Sequence, residues 1–305
     1  MRIFLTGATG FLGGAIAGAL LARQHELAML ARPGAVAARF GALCRIVRGD
    51  LFEPDGYRPE LKRFRPEALI HCGWFGVAGA ERDNLRQLDN VPASARLFQA
   101  AIDAGATRIV GVGSQAEYGP KSGRIREDES CAPTTLYGVA KLATAQALSA
   151  MGAAQSVSSA WGRVFSLYGP GSDASWLIPS LIRSFSEGRA PELTLCEQLW
   201  EFTHVDDAAQ AVVALVETPS ATGFFNIGAG EARPLREVVL YLRDEIAPEI
   251  EPKFGAVPYR PDQVMHLEAD IAKIRDATGW SPKTPLERGL VTTLLAQGCK
   301  RMAVT

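Results

Sequence analysis

The sequence predicts an α/β fold: a Rossmann-type, doubly wound parallel sheet with a smaller, interleaved C-terminal substrate-binding lobe. Three observations predict it. Short apolar strands alternate with helical stretches up to residue 168. A glycine triplet sits where the first strand turns into the first helix. Beyond Gly169-Pro170-Gly171 the alternation weakens and Pro and Gly become frequent.

Taken in order, residues 3–5 form a short buried strand that runs into Thr6-Gly7-Ala8-Thr9-Gly10-Phe11-Leu12-Gly13 and an Ala/Leu-rich helix reaching about residue 23. Further strands are expected at 26–31, 43–47, 68–72, 108–112 and 157–165, with helices clearest at 84–104 and 137–151. A helix at 205–217 and a last strand at 224–227 follow. No linker-like segment separates the two lobes, and there is no internal repeat or charged tail. The dinucleotide-binding domain is expected over 1–168, receiving 201–228 as well. The substrate lobe is expected over 169–200 and 229–305.

The chain has 305 residues, 32 Lys and Arg against 33 Asp and Glu, and 47% hydrophobic residues. That composition excludes a disordered or fibrous chain, and a net charge of −1 argues against an electrostatic grip on nucleic acid or acidic membranes. Five cysteines with no Cys-x-x-Cys pair fit a reduced, cytoplasmic protein. No apolar run reaches the roughly 18–20 residues of a membrane span. The stretch 11–22 is apolar enough for a signal-peptide core, but it completes the glycine pattern and is read as part of it.

Gly7, Gly10 and Gly13 follow a strand and open a helix. The first allows a tight turn, the second lets backbone approach a pyrophosphate, and the third lets helix and strand pack closely. The helix N-terminus offers unpaired N–H groups and partial positive charge to the phosphates. The candidate dinucleotide contacts here are Gly7, Thr9, Gly10, Phe11, Leu12 and Gly13. The second strand ends in Met29-Leu30-Ala31-Arg32, with no acid to hold a ribose 2′-hydroxyl. Arg32 therefore favours NADP(H), with NAD(H) as the other option. Asp50 and Leu51, after the third strand, are placed to flank the adenine.

Tyr137 and Lys141 stand at i and i+4, on one face of a helix. A nearby ammonium, and a nicotinamide cation in the oxidised cofactor, would favour the phenolate and bring the Tyr towards the range useful for acid–base work. Ser114 follows the fifth strand, at the carboxyl edge where open parallel sheets bind ligands, and is placed to donate to a substrate oxygen. Asn90 precedes Pro92 in an otherwise helical run. The helix should bend or restart there, leaving Asn90 to order water, to position a lysine, or simply to mark a kink. Trp74-Phe75, after the fourth strand, lines the nicotinamide or substrate pocket or packs into the core. His25, His71, His204 and His266 are dispersed, so no metal site is expected. Asp206-Asp207 is read as a helix N-terminal cap.

Together these residues resemble the extended short-chain dehydrogenase/reductase family, the NAD(P)-dependent sugar-nucleotide epimerases, dehydratases and reductases. The motifs are Thr6-Gly7-x-x-Gly10-x-x-Gly13, Asp50-Leu51, His71-Cys72-Gly73, Asn90, Ser114 to Gly119, Tyr137-x-x-x-Lys141, Arg163 to Pro170, His204-Val205-Asp206-Asp207 and Trp280-x-Pro282. The resemblance implies that Tyr137 exchanges a proton with a sugar oxygen. Lys141 holds the nicotinamide ribose and lowers the tyrosine pKa, and Ser114 polarises the reacting oxygen. It adds Cys72, Gly73, Trp74, Asn90 and Phe165 to the cofactor contacts, and Gln115 and Ser166 to the substrate contacts. It also implies a homodimer packed through the helices at 84–104 and 137–151.

Two positions depart from the family. Trp200-Glu201-Phe202 stands where Arg-Asp-Phe is common, so one of two diphosphate-clamping arginines is missing, and Ser166 stands where Asn is common. Arg260, in Tyr259-Arg260-Pro261-Asp262, matches the second clamp. Trp200 is free to stack on a base or sugar, or to pack. The family's dehydratases carry an Asp-Glu pair after the Ser-Thr region. Here the residue after Ser114 is Gln115, and an amide cannot be the acid of an elimination. The expected activity is NAD(P)H-dependent reduction of a nucleotide-activated keto-sugar of the 4-keto-6-deoxyhexose type. An NAD-dependent 4-epimerase and a non-catalytic dinucleotide-binding sensor are the alternatives.

Overall fold

A computed structural model describes residues 1–34, 40, 43–77, 79–260 and 263–299. In chain order the strands are β1 (Arg2–Thr6), β2 (Glu26–Ala31), β3 (Arg45–Arg48), β4 (Ala68–His71), β5 (Arg108–Ser114), β6 (Gly123–Ile125), β7 (Ser158–Val164) and β8 (Leu167–Tyr168). They continue as β9 (Glu192–Leu193), β10 (Leu199–Trp200), β11 (Thr203–His204), β12 (Gly223–Ile227), β13 (Arg233–Pro234), β14 (Lys253–Phe254) and β15 (His266–Ala269). The helices are α1 (Phe11–Ala22), α2 (Pro54–Phe64), α3 (Asn90–Asp103), α4 (Leu136–Gln155), α5 (Leu177–Ser186), α6 (Val205–Glu217), α7 (Leu235–Ile246), α8 (Ala272–Thr278) and α9 (Leu286–Ala296).

Seven of these strands form one parallel sheet in the order β12-β7-β5-β4-β1-β2-β3. Such a sheet is buried on both faces, and its middle strands obey that rule: every residue of β4 and β5 is buried. The side-chain period of two divides β1 between two cores. Ile3 and Leu5 pack with Ile16 and Leu20 of α1 and Val212 of α6. Phe4 points the other way, into the cluster of Tyr57 from α2, Leu97 from α3 and Leu148 from α4. Strand order reverses at β1, which has β2 on one side and β4 on the other. In an open α/β sheet the carboxyl ends at that reversal form the ligand crevice.

The second lobe has its own core. Ile178, Leu181 and Phe185 of α5, Val239 and Leu242 of α7, and Leu290 of α9 pack around Tyr168. Its four-stranded sheet has the order β13-β10-β15-β6, so one strand, β6, comes from the first half of the chain. The first half of the chain thus contributes a strand to a sheet otherwise built from the second half.

Two expectations need correction. The run 84–104 is two elements, a 3₁₀ helix at Leu85–Asp89 and then α3. The break falls before Asn90. Pro92 lies in the first turn of α3, where its missing N–H costs nothing. Helix α6 is capped by His204, whose Nδ1 accepts from the Asp206 N–H at 3.3 Å, and not by the acids. Asp207 instead accepts from the Lys283 and Thr284 N–H groups at 3.0 and 2.9 Å, while Trp280 Nε1 donates to the Asp207 carbonyl, so the tail is pinned to α6. Among the described residues, no helix is long and apolar enough to cross a membrane.

Candidate active site

A cavity of about 990 Å³ opens at the carboxyl ends of the central strands. One wall is the turn from β1 into α1. Gly7 holds a φ of 78°, and a Cβ on Gly13 would stand 2.1 Å from the Gly7 carbonyl oxygen, so only glycine lets the helix begin against this turn. Gly10 is the N-cap, with no side-chain cap and no acid in the first turn. The first N–H groups of α1 are therefore left for an anion. Thr9, Phe11 and Leu12 line the cavity beside them. The cradle fits a pyrophosphate.

A buried chain of hydrogen bonds fixes this turn to the far side of the sheet. Burial lowers the His71 imidazole to about 3, so it is neutral, and the Lys141 charge adds to that effect. Thr6 Oγ1 accepts from the Gly73 N–H at 3.0 Å and donates to His71 Nδ1 at 2.9 Å. His71 Nε2 donates to Ser94 Oγ at 2.9 Å, and Ser94 donates to the Asn90 carbonyl at 2.7 Å. With Nδ1 accepting, the proton resides on Nε2.

The far end of the cavity is built from Leu30, Arg32, Gly49, Asp50, Leu51 and Phe52. Arg32 follows β2 directly and is exposed. Asp50 Oδ1 accepts from the Phe52 N–H at 3.0 Å and holds the turn after β3. Cys72, Gly73, Trp74 and Phe165 also face the cavity.

Tyr137 reaches the same cavity because α4 starts against the end of β5. Thr135 caps α4, accepting from the Gly138 N–H at 3.1 Å. A Cβ on Gly138 would stand 2.5 Å from the Ala116 carbonyl oxygen, so the helix abuts the 3₁₀ turn Gln115–Glu117. That contact brings the Tyr137 phenol beside Ser114. Ser114, Gln115, Tyr137 and Lys141 all line the cavity.

Burial dominates the electrostatics of the phenol in the chain by itself. Burial pushes the Tyr137 phenol up to about 12; the Ser114 hydroxyl and the Arg82 guanidinium pull against it, while Glu117 and Cys72 reinforce it. Burial lowers the Lys141 ammonium to about 8. Its Nζ donates to the Val112 carbonyl at 2.7 Å and lies 3.8 Å over the Trp74 ring, but 5.8 Å from the Tyr137 ring. The lysine is turned towards a carbonyl and an aromatic face, in a dry wall where desolvation of the phenolate dominates.

Asn90, expected in catalytic and cofactor-binding roles, stands behind the cavity wall and is not among its lining residues. It is fully buried, and its Oδ1 accepts from the Phe75 N–H at 3.0 Å while Nδ2 donates to the Gln87 carbonyl at 3.1 Å. It shapes the Trp74-Phe75 segment from behind. Glu117 is also removed from the cavity: it accepts from the Ser114 N–H at 2.8 Å, Trp161 Nε1 at 2.9 Å and Arg163 Nε at 2.9 Å.

The second lobe supplies Trp176, Leu177, Leu193, Gln198, Trp200 and Arg260 to the cavity. Trp200 Nε1 donates to Ser166 Oγ at 2.8 Å, so the two residues that depart from the family pattern form one contact. Phe11 and Trp176 meet edge to face at 5.6 Å, closing the lobes over the start of α1. Arg260 lines the exposed rim, and Pro261 and Asp262 lie outside the described residues. Sequence reasoning missed Arg82 and Arg86, which line the cavity from segments without a periodic pattern. Among the described residues, no cluster of His, Cys, Asp and Glu is placed to hold a metal ion.

Comparison with known proteins agrees with this geometry. Residues 3–228 match the NAD dependent epimerase/dehydratase family. The chain is 28% identical to dTDP-6-deoxy-L-talose 4-dehydrogenase (NAD(P)(+)) of Kitasatospora kifunensis, over 99% of this chain and 97% of that protein. It is 27% identical to UDP-glucose 4-epimerase of Azospirillum brasilense, over 97% and 91%. Among solved structures, MoeE5 in complex with UDP-glucose and NAD superposes with a TM-score of 0.83 at 27% identity, covering 98% of this chain and 99% of that one. With the glycine cradle, the Tyr-Lys helix and the doubly wound sheet on one chain, the protein belongs to the NAD-dependent epimerase/dehydratase family, the sugar-nucleotide branch of the extended short-chain dehydrogenases/reductases.

Proposed function

We propose that the protein is an NAD(P)H-dependent reductase of a nucleotide-activated keto-sugar, of the 4-keto-6-deoxyhexose type. The observation that carries this reading is the convergence of Ser114, Tyr137 and Lys141 on one cavity with the glycine cradle of Gly7, Gly10 and Gly13. Burial favours the neutral phenol, the form in which Tyr137 can donate a proton. The first lobe would hold the dinucleotide through Gly7, Gly10, Gly13, Asp50 and Leu51, and Arg32 at the end of β2 favours a 2′-phosphate, hence NADP(H) over NAD(H). When bound there, the dinucleotide supplies the hydride. Tyr137 gives its proton to the developing alkoxide, and Ser114 stabilises that oxygen by a hydrogen bond. Lys141 places its remaining N–H groups at the cavity wall next to Cys72 and Trp74. Gln115, Ser166, Trp200 and Arg260 line the sugar-nucleotide end.

Glu117 does not offer its carboxyl as the acid of a dehydration, since it is locked behind the wall by Ser114, Trp161 and Arg163. The similarity to a 4-dehydrogenase of a 6-deoxysugar supports the reading, because that reaction run backwards is a 4-keto reduction. The epimerase relative supports the second reading, a 4-epimerase working on retained NAD. Leu85, Leu88 and Val139 leave an apolar, exposed patch on the 3₁₀ turn and α4, and this supports a homodimer packed through that face.

The test is nicotinamide absorbance during addition of a panel of nucleotide-linked 4-keto-sugars. The wild type should consume reduced cofactor stoichiometrically. Tyr137→Phe should lose about 10²–10⁴-fold in turnover while keeping its affinity for the dinucleotide. Full turnover in that variant refutes the role of Tyr137, and isomerised product without net cofactor consumption replaces reduction by epimerisation.

A further inference from the structure

Five cations line the cavity, Arg32, Arg82, Arg86, Lys141 and Arg260, against the carboxylates of Asp50 and Glu192. Asp50 accepts from the Phe52 N–H, and Glu192 pairs with Lys253 at 3.0 Å, so neither acid answers the surplus. Three of the cations have tasks already. Arg32 stands at the end of β2, where the adenosine half of the dinucleotide is expected. Lys141 serves the nicotinamide ribose and the phenol in the family pattern. Arg260 lines the rim of the second lobe. Arg82 and Arg86 are left over, and both stand beside the reacting groups.

Arg82 lies in the 3₁₀ helix Gly79–Asp83, and Arg86 in the next one, Leu85–Asp89. The Arg82 guanidinium carbon is 4.6 Å over the Tyr137 ring, and that of Arg86 is 4.2 Å over Phe75. Phe75 follows Trp74, whose ring meets Tyr137 edge to face at 6.3 Å. Both segments are fixed from behind. Fully buried Gln87 accepts from Trp74 Nε1 and donates to the Glu81 carbonyl, each at 2.8 Å, and Asn90 accepts from the Phe75 N–H at 3.0 Å. The acids on either side of Arg82 are turned to other donors. Glu81 accepts from Asn84 Nδ2 at 3.1 Å, and Asp83 accepts from the Leu136 N–H at 3.3 Å. Among the described residues, neither guanidinium forms an ion pair with a carboxylate.

A guanidinium laid on an aromatic face keeps its N–H edge open, and that edge matches the two oxygens of a carboxylate. A neutral sugar closing over these two charges would strip their water and give nothing back. An acidic sugar would compensate them. We infer that Arg82 and Arg86 form an anion site beside Tyr137, so that the sugar taken by this chain carries a carboxylate on its glycosyl unit. The inference rests on the keto-sugar reading and narrows its substrate class; the diphosphate of the nucleotide stays with Arg260 at the rim. On an arm of the ring, the carboxylate leaves the 6-deoxy character intact; at C6 it replaces the methyl.

The test is calorimetry on the full chain saturated with NADPH or NADH, whichever binds more tightly. The probes are two matched pairs: UDP-N-acetylmuramic acid against UDP-N-acetylglucosamine, and UDP-glucuronic acid against UDP-glucose. None has a ring ketone, so none consumes the reduced cofactor. In at least one pair the acidic member should bind about 10–100-fold more tightly, the range of a charged hydrogen-bonded contact. The double variant Arg82→Gln/Arg86→Gln should bring that ratio close to one. The double variant Arg82→Lys/Arg86→Lys, which keeps the charge, should retain most of it. Wild-type protein with no acidic preference in either pair overturns the inference, and so does a preference that survives the double Gln change. Binding is read without turnover, so the two readings fail separately. An acidic preference with no keto-sugar reduced refutes the reductase and leaves the anion site. Reduction of a neutral keto-sugar with no acidic preference refutes the anion site and leaves the reductase.

Discussion

Replacing Glu117 by Gln separates a structural carboxylate from a chemical one. Glu117 is fully buried, and Arg163, its partner at 2.9 Å, is 3% exposed. In Glu117→Gln the amide oxygen can still accept from the Ser114 and Trp161 N–H groups, but an amide nitrogen then faces the buried guanidinium. Breaking a buried pair by removing one partner costs about 3–5 kcal/mol, because the other charge is left uncompensated. For 305 residues, at about 2.1 cal/mol/K per residue, unfolding carries an entropy of about 0.64 kcal/mol/K. The expected fall in thermal midpoint is therefore roughly 5–8 °C. Circular dichroism melts of Glu117→Gln, Arg163→Met and the double variant measure it. The double variant should melt above Glu117→Gln alone, since no buried cation is stranded. A Glu117→Gln protein that melts within about 1 °C of the wild type yet loses all turnover would refute this reasoning and return Glu117 to the chemistry.

Gly13→Ala places a methyl 2.1 Å from the Gly7 carbonyl oxygen; it should cost about 1–3 kcal/mol of stability and abolish dinucleotide binding by calorimetry. Arg32→Ser should weaken NADPH about 10–100-fold, the loss of one charged phosphate contact worth about 1.5–3 kcal/mol, with NADH affinity unchanged; equal losses for both would remove Arg32 from cofactor choice. Burial raises the Glu201 carboxyl from 4.5 to about 8, against hydrogen bonds from the Ala269 and Gly230 N–H groups. The folded chain thus keeps a proton that the unfolded chain releases from about pH 4.5, and stability should decline as pH rises from there to about 8. Melts across that range should show the decline in the wild type and a flatter profile in Glu201→Gln.

Local features were the legible ones. The strand–turn–helix with Gly7, Gly10 and Gly13 is specified within a dozen residues, and the strands of the central sheet announce themselves as apolar runs because both faces are covered. The spacing of Tyr137 and Lys141 placed both on one helix, but not the direction of the lysine, which depends on Trp74 and on the Val112 carbonyl from two other elements. Asn90 looked like a site residue because an amide before a proline is conspicuous; its burial is set by Phe75 and Gln87, and no spacing encodes that. Arg82 and Arg86 sit in 3₁₀ segments whose few residues show no period. The second lobe was the least legible, since strands of two residues such as β9, β10 and β13 exist only through distant partners. His204 was hidden for a different reason: the adjacent acids are the commoner N-terminal caps, and an imidazole acceptor takes that place.

The shared sheet has a consequence for how the polypeptide matures on the ribosome. β15 lies between β10 and β6, both of which are synthesised earlier. Until residue 269 has emerged, those two edges remain unzipped and available to wrong partners, including neighbouring nascent chains. The last ribbon has to thread between them, a late, long-range closure that slows completion of the crevice. A fragment truncated at residue 228 would retain every strand of the seven-stranded sheet while lacking this keystone.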